Sequence, residues 1–102
     1  MAGRRRRVGW TDEARFALDE AVSYIARDSV QGAQAVLEEV LSAADSLSTL
    51  PERGRMVPER DESNIREVFV RQYRLMYQVR GSKVLVLAFL HGARDYEKWR
   101  SE

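Results

Sequence analysis

Residues 65–94 read IREVFVRQYRLMYQVRGSKVLVLAFLHGAR, and their pattern decides the fold. Residues 65–70, 73–80 and 83–90 read as three antiparallel strands, in each of which successive side chains fall on opposite faces. Two-residue links, Arg71-Gln72 and Gly81-Ser82, separate the three segments. The second is the stronger turn signal, because a type II′ hairpin needs a positive φ at its first loop position and glycine takes it without steric cost. With two-residue loops at both ends the register follows. Tyr73, Leu75, Tyr77 and Val79 share an apolar face with Val84, Val86, Ala88 and Leu90, and this face is expected to lie on the helices. The opposite face carries Arg74, Met76, Gln78 and Arg80 beside Lys83, Leu85, Leu87 and Phe89. A stable monomer would not leave that mixture wet, so it is read as the binding face.

Upstream, Arg6, Val8 and Trp10 alternate with Arg7 and Gly9, which predicts a short edge strand. Thr11 suits a helix N-cap, and Asp12 and Glu13 put negative charge at the positive end of the helix dipole. Ala14, Leu18, Ala21, Val22 and Ile25 then recur at three- and four-residue spacing, predicting a helix to about Arg27. Asp28 or Ser29 caps a second helix with the stripe Ala33, Val36, Leu37, Val40, Leu41, Ala44 and Leu47, stopped by Pro51. The two form a helical hairpin that must bury its stripe on the strands. Residues 51–64, with Gly54, Pro58 and many charges, read as a surface loop. The expected fold class is α+β: an N-terminal strand and an α-helical hairpin packed on a small antiparallel β-sheet.

A chain of 102 residues without a Pro/Gly/Ser-rich linker is expected to form a single domain over residues 1–102, with residues 1–7 as a basic, flexible arm. Hydrophobic residues at 44% and charged residues at 32% match a folded, water-soluble protein. Its longest apolar run, residues 84–90, is far shorter than the roughly 20 residues of a membrane span, so no membrane association is expected. The basic N-terminus lacks the apolar stretch of a secretory signal. An absence of cysteine excludes disulfides and thiolate-held metal and fits a cytoplasmic location.

The net charge of +1 conceals a polarity. Residues 1–7 carry +4, residues 8–65 carry −7 and residues 66–102 carry +4. A basic strand half suits a protein that meets an anion or an acidic partner with its sheet. Conventional catalytic machinery is sparse: one histidine, no glycine-rich phosphate loop, no His/carboxylate set at metal spacing, and hence neither metal nor cofactor expected. The remaining candidates are Arg66, Arg74, Arg94, His91, the tyrosines and the N-terminal arginines, which suit holding phosphates more than making nucleophiles. Each has a plainer reading. His91 fits a structural hydrogen bond as well as acid/base work. Arg74 fits a solvated or ion-paired strand arginine as well as a binding role. Arg4 to Arg7 fit the charged guard of an edge strand as well as nucleic-acid contact. Tyr96 and Trp99 either fold back onto the mixed face or anchor a partner there.

Taken together, Trp10-Thr11-Asp12-Glu13-Ala14, Tyr24-Ile25-Ala26, Leu50-Pro51-Glu52-Arg53-Gly54-Arg55, Val57-Pro58-Glu59, Ile65-Arg66-Glu67-Val68, Tyr73-Arg74-Leu75-Met76-Tyr77 and His91-Gly92-Ala93-Arg94 resemble the RelE/ParE toxin superfamily over about residues 8–95. The resemblance implies a type II toxin, active in the cytoplasm, inhibiting growth and neutralised in a hetero-oligomer by a cognate antitoxin. Its branches differ in target. RelE-like members cleave mRNA in the ribosome with basic side chains on the sheet, and ParE-like members poison DNA gyrase. For the nuclease branch the resemblance implies Arg66, Arg74, Arg94 and His91 as phosphate-holding or catalytic residues. Nuclease relatives commonly carry two lysines facing the position of Arg74; here the register places Glu67 and Phe69 there and turns Arg66 away, unless a bulge intervenes between Val70 and Tyr73. The ParE-like branch is therefore favoured, with Arg74, Met76, Leu85, Leu87, Phe89, Arg94 and Trp99 as the surface for target and antitoxin. A third reading is a non-toxic module that co-represses its operon with the antitoxin.

Overall fold

A computed structural model describes residues 5–60 and 64–92. Its elements are β1 (Arg7–Trp10), α1 (Asp12–Ala26), α2 (Val30–Ser46), β2 (Arg55–Met56), β3 (Ile65–Val70), β4 (Tyr73–Arg80) and β5 (Lys83–His91). They build a five-stranded sheet in the order β1-β5-β4-β3-β2. β1 is an edge strand, parallel to β5, and the other pairs are antiparallel. No helix among the described residues is long and apolar enough to cross a membrane.

The helices start where capping chemistry dictates. Thr11 Oγ1 accepts from the Ala14 N–H at 3.0 Å, and Ser29 Oγ accepts from the Gly32 N–H at 2.9 Å, so Ser29 rather than Asp28 caps α2. Ala14 and Leu18 from α1 and Val36, Val40, Ala44 and Leu47 from the α2 region join Val68, Val70, Leu75, Tyr77, Val84 and Val86 in the main core. Leu41, expected in the stripe of α2, is 48% exposed. α2 ends at Ser46, with Leu47 as C-cap, a turn before Pro51.

Both hairpin links are two-residue turns, pairing Val70 with Tyr73 and Arg80 with Lys83. Gly81 has φ +51°, as the turn requires. Arg71, at the matching position of the other turn, has φ +56°, a conformation that strains a residue bearing a Cβ. Its guanidinium makes a two-pronged contact with Glu39 of α2 at 2.7 and 3.1 Å, fastening the strained turn to the helix.

The expected alternation fails in β5. Tyr77 pairs with Val86 but Met76 pairs with Ala88, so Leu87 is an extra residue in a β-bulge. Every side chain beyond it changes face. Phe89, expected on the mixed face, lies in the main core and stacks on Tyr73 with ring centroids 4.7 Å apart. Ala88 and Leu90, expected against the helices, join Met76, Ile65 and Val57 in a second cluster on the far face. The bulge is held from outside the hairpin: the Thr11 N–H donates to the Val86 carbonyl at 3.0 Å, and the Thr11 hydroxyl donates to the Leu87 carbonyl at 3.3 Å.

Residues 51–60 also depart from the expected surface loop. β2 extends the sheet, pairing Arg55 with Glu67 and Met56 with Arg66, and Pro51, Gly54 and Val57 are buried. This segment turns under the far face, where Val57 caps Met76. Met76, expected as part of an exposed mixture, is fully buried within its own chain.

Candidate functional site

The far face of the sheet holds a chain of alternating charges. Strand pairing sets Arg74 opposite Phe69 and Glu67 opposite both Met76 and Arg55, with no bulge between β3 and β4. Glu67 therefore shares the face of Arg74, as the register predicts. Arg74 is 3% exposed. Its Nε donates to Glu67 Oε1 at 2.6 Å, and its two terminal nitrogens donate to the Glu59 carboxylate at 2.8 and 3.1 Å. Glu67 uses its second oxygen to accept from Arg55 Nε at 2.6 Å, and the Arg55 guanidinium also lies 5.1 Å from the centre of the Phe69 ring. Burial of a guanidinium demands this compensation, since an unpaired buried charge is costly.

The network moves both partners' titration. The two-pronged hydrogen bond from Arg74 holds the Glu59 carboxyl below its ordinary value, against the opposing effect of partial burial. The Glu59 and Glu67 carboxylates hold the Arg74 guanidinium above its ordinary range, against its desolvation. Arg74 is thereby fixed as a cation and largely neutralised, an arrangement suited to holding residues 55–60 on the sheet.

Arg66 points to the helix side, where its terminal nitrogen donates to the Gly54 carbonyl at 2.9 Å. Beside it the Tyr77 hydroxyl donates to the Pro51 carbonyl at 2.7 Å and accepts from the Gly54 N–H at 3.0 Å. Desolvation raises the Tyr77 phenol above its ordinary value of 10, so it is a hydrogen-bonded structural group at neutral pH. Gly54 is required by close approach: a Cβ there would meet the Tyr77 hydroxyl at 2.5 Å and the Glu67 carbonyl at 2.6 Å.

His91 ends β5 half-buried, edge-on to Tyr73 with centroids 5.2 Å apart, and its Nε2 lies 3.1 Å from Gln72 Nε2. Together with Tyr24, Asp28, Tyr73 and Phe89 it lines a groove of about 710 Å³ between α1 and the end of the sheet. The structure thus separates the candidates. Arg66 and His91 lie on the helix side, Arg74 on the far side, and Arg94, Tyr96 and Trp99 fall outside the described residues, as does Arg4. Leu85 and Leu87 remain half-buried on the far side. Sequence reading missed Arg55 and Glu59, whose convergence with Arg74 has no local signal because they sit in a segment without periodicity. Among the described residues no group of three or more His, Cys, Asp or Glu side chains could hold a metal ion.

A helical hairpin over one face of such a sheet defines a class of small α+β proteins, and two solved structures share the arrangement. A chain of the chromosomal ParDE toxin–antitoxin system from P. aeruginosa superposes with a TM-score of 0.71 over 86% of this chain and 97% of its own, at 15% identity, a likeness of fold alone. A chain of the RelBE2 toxin–antitoxin complex from Mycobacterium tuberculosis superposes with a TM-score of 0.57 at 26% identity, over 88% of this chain and 94% of its own. No curated protein sequence matches the chain. The family model for the ParE toxin of type II toxin–antitoxin systems, parDE, matches residues 8–96, and the chain belongs to that family.

Proposed function

We propose that this ParE-type toxin acts as a single cytoplasmic domain that poisons DNA gyrase and is neutralised in a hetero-oligomer by a cognate antitoxin. The observation that carries the choice of target is the state of Arg74. A ribosome-dependent nuclease of this superfamily would need preorganised cations where charge develops on the scissile phosphate. Here that position is 3% exposed and its guanidinium is engaged by Glu59 and Glu67. Two carboxylates beside a phosphate would oppose its binding, and Arg66 lies across the sheet, bound to the Gly54 carbonyl. Support for an antitoxin partner comes from the two structural relatives, both taken from toxin–antitoxin systems.

For the antitoxin we propose the far face at half-buried Leu85 and Leu87 and the 52% exposed Phe69, together with Arg94 and Trp99, which lie outside the described residues. Met76 supports that face from beneath, covered by its own chain, whereas Phe89 lies in the core on the helix side and is no part of it. Induction of the chain alone is expected to stop growth and trigger a DNA-damage response, and the purified protein to inhibit gyrase supercoiling while ribosome-bound mRNA stays intact. Codon-phased mRNA cuts with supercoiling unaffected would replace this reading with the nuclease one. No growth arrest on induction, with the protein folded, would leave the co-repressor module.

A further inference from the structure

Cations left unneutralised by the network gather at the opposite end of the far face. β1 pairs with β5 at Arg7 and Lys83, and β5 pairs with β4 at Lys83 and Arg80. Adjacent strands lie about 4.8 Å apart, so the three side chains form a row roughly 10 Å long across the sheet. Their neighbours Val84 and Val79 pack on the helix side, which turns the row outward on the other face. Arg6 lies beside it: its Nε donates to the Gly81 carbonyl of the β4–β5 turn at 2.9 Å, and the neighbouring Arg5 is exposed.

Like charges placed opposite one another in a sheet destabilise it unless something compensates. Arg55, Arg71 and Arg74 all have carboxylate partners, whereas none of Arg5, Arg6, Arg7, Arg80 and Lys83 forms an ion pair among the described residues. The row borders a groove of about 430 Å³ with Gly9 and Leu85 at its floor. A Cβ at Gly9 would touch only the Leu85 side chain, at 3.8 Å, so the missing side chain keeps the groove open rather than satisfying the backbone.

We propose that this row binds the phosphate backbone of duplex DNA, independently of base sequence and independently of the gyrase reading. Guanidinium forks match phosphate oxygens, and a row about 10 Å long, lengthened at both ends by the reach of its side chains, can meet about two to three successive backbone phosphates. The groove lining holds no aromatic ring on which unpaired bases could stack, which favours a duplex over a single strand. Neither helix lies on this face to read base edges, so the contact positions DNA without specifying it.

The test is fluorescence anisotropy of the full chain with a labelled duplex of about 20 bp across about 25 to 200 mM NaCl. Binding should weaken with salt, with a log–log slope near 3, and Arg7→Gln, Arg80→Gln and Lys83→Gln should each lower that slope by about one. The double variant Arg80→Gln/Lys83→Gln should lose about tenfold or more in affinity at about 50 mM NaCl, and Lys83→Arg should retain binding. Arg27→Gln, an equal change of net charge on the acidic helical side, should change affinity less than twofold. Circular dichroism confirms that each variant is folded. Absence of binding at the lowest salt, equal weakening by Arg27→Gln, tighter binding of a single strand, or displacement by poly-glutamate more readily than by unlabelled duplex would each overturn the proposal. Gyrase inhibition measured on the same variants keeps the two readings separate, since loss of free-DNA binding and loss of poisoning are read in different assays.

Discussion

Glu67 is the residue on which the far face turns. Its side chain is fully buried between Arg55 and Arg74, so removing it takes from a buried guanidinium the carboxylate that its Nε binds. Glu67→Ala is expected to cost about 3 kcal/mol, at the low end for breaking a buried pair. Arg55→Ala, whose side chain is 56% exposed, should cost under about 1 kcal/mol. Urea unfolding of both variants checks the order. Glu59 adds a pH signature. Its carboxyl titrates below the ordinary 4.5 because Arg74 binds the charged form, so its contribution is complete above about 4.5 and disappears as pH falls through the lowered value. Thermal melts of the parent and Glu59→Gln should therefore differ most at near-neutral pH and converge in acid. On the helix side, Tyr77→Phe leaves the Pro51 carbonyl and the Gly54 N–H without their buried partner, with an expected loss of about 1 to 3 kcal/mol by denaturant unfolding.

At the scale of elements, the bulge in β5 decides which apolar side chains are core. Strict alternation would group Phe89 with Leu85, but Leu87 occupies an unpaired position and Phe89 crosses to the helices. Phe89→Ala should cost about 3 to 5 kcal/mol as a core truncation, and Leu85→Ala much less, since Leu85 is half-exposed on the other face. Equal losses in equilibrium unfolding would contradict the bulge. β2 shows the same dependence on context. Two residues, Arg55 and Met56, pair with β3 only because Gly54 admits the Tyr77 hydroxyl and Glu67 holds Arg55.

Across the whole molecule, charge and connectivity are arranged unevenly. The acidic helical layer covers one face, while the far face has a neutralised end at Arg74 and a basic end at Arg7, Lys83 and Arg80. Connectivity predicts an order of folding. The β4–β5 hairpin is local, whereas β1 must find β5 across more than 70 residues, as in the pairing of Arg7 with Lys83. Long-range pairing carries the larger loop-closure cost. Val86→Ala in the hairpin should slow folding, and Val8→Ala in β1 should mainly speed unfolding, as read from the two arms of a chevron plot.

The α+β class, both helices with Thr11 and the Asp28/Ser29 cap region, the three long strands, the turn at Gly81 and the shared face of Arg74 and Glu67 were all legible in the chain. Each depends on short-range chemistry: periodicity, a capping oxygen, a glycine that tolerates positive φ. Three features were not: the bulge at Leu87, the strand at Arg55, and the convergence of Glu59 and Arg55 with Arg74. At the bulge the Leu87 carbonyl accepts from the hydroxyl of Thr11, 76 residues earlier, a partner that local sequence cannot announce. Likewise, a buried arginine is permitted only when distant carboxylates arrive to neutralise it. Local sequence therefore determined which segments are helix and strand. Only the tertiary structure, where remote partners settle the cost of burying charge and unpaired backbone, decided which arginines are spent inside the fold and which remain for a partner.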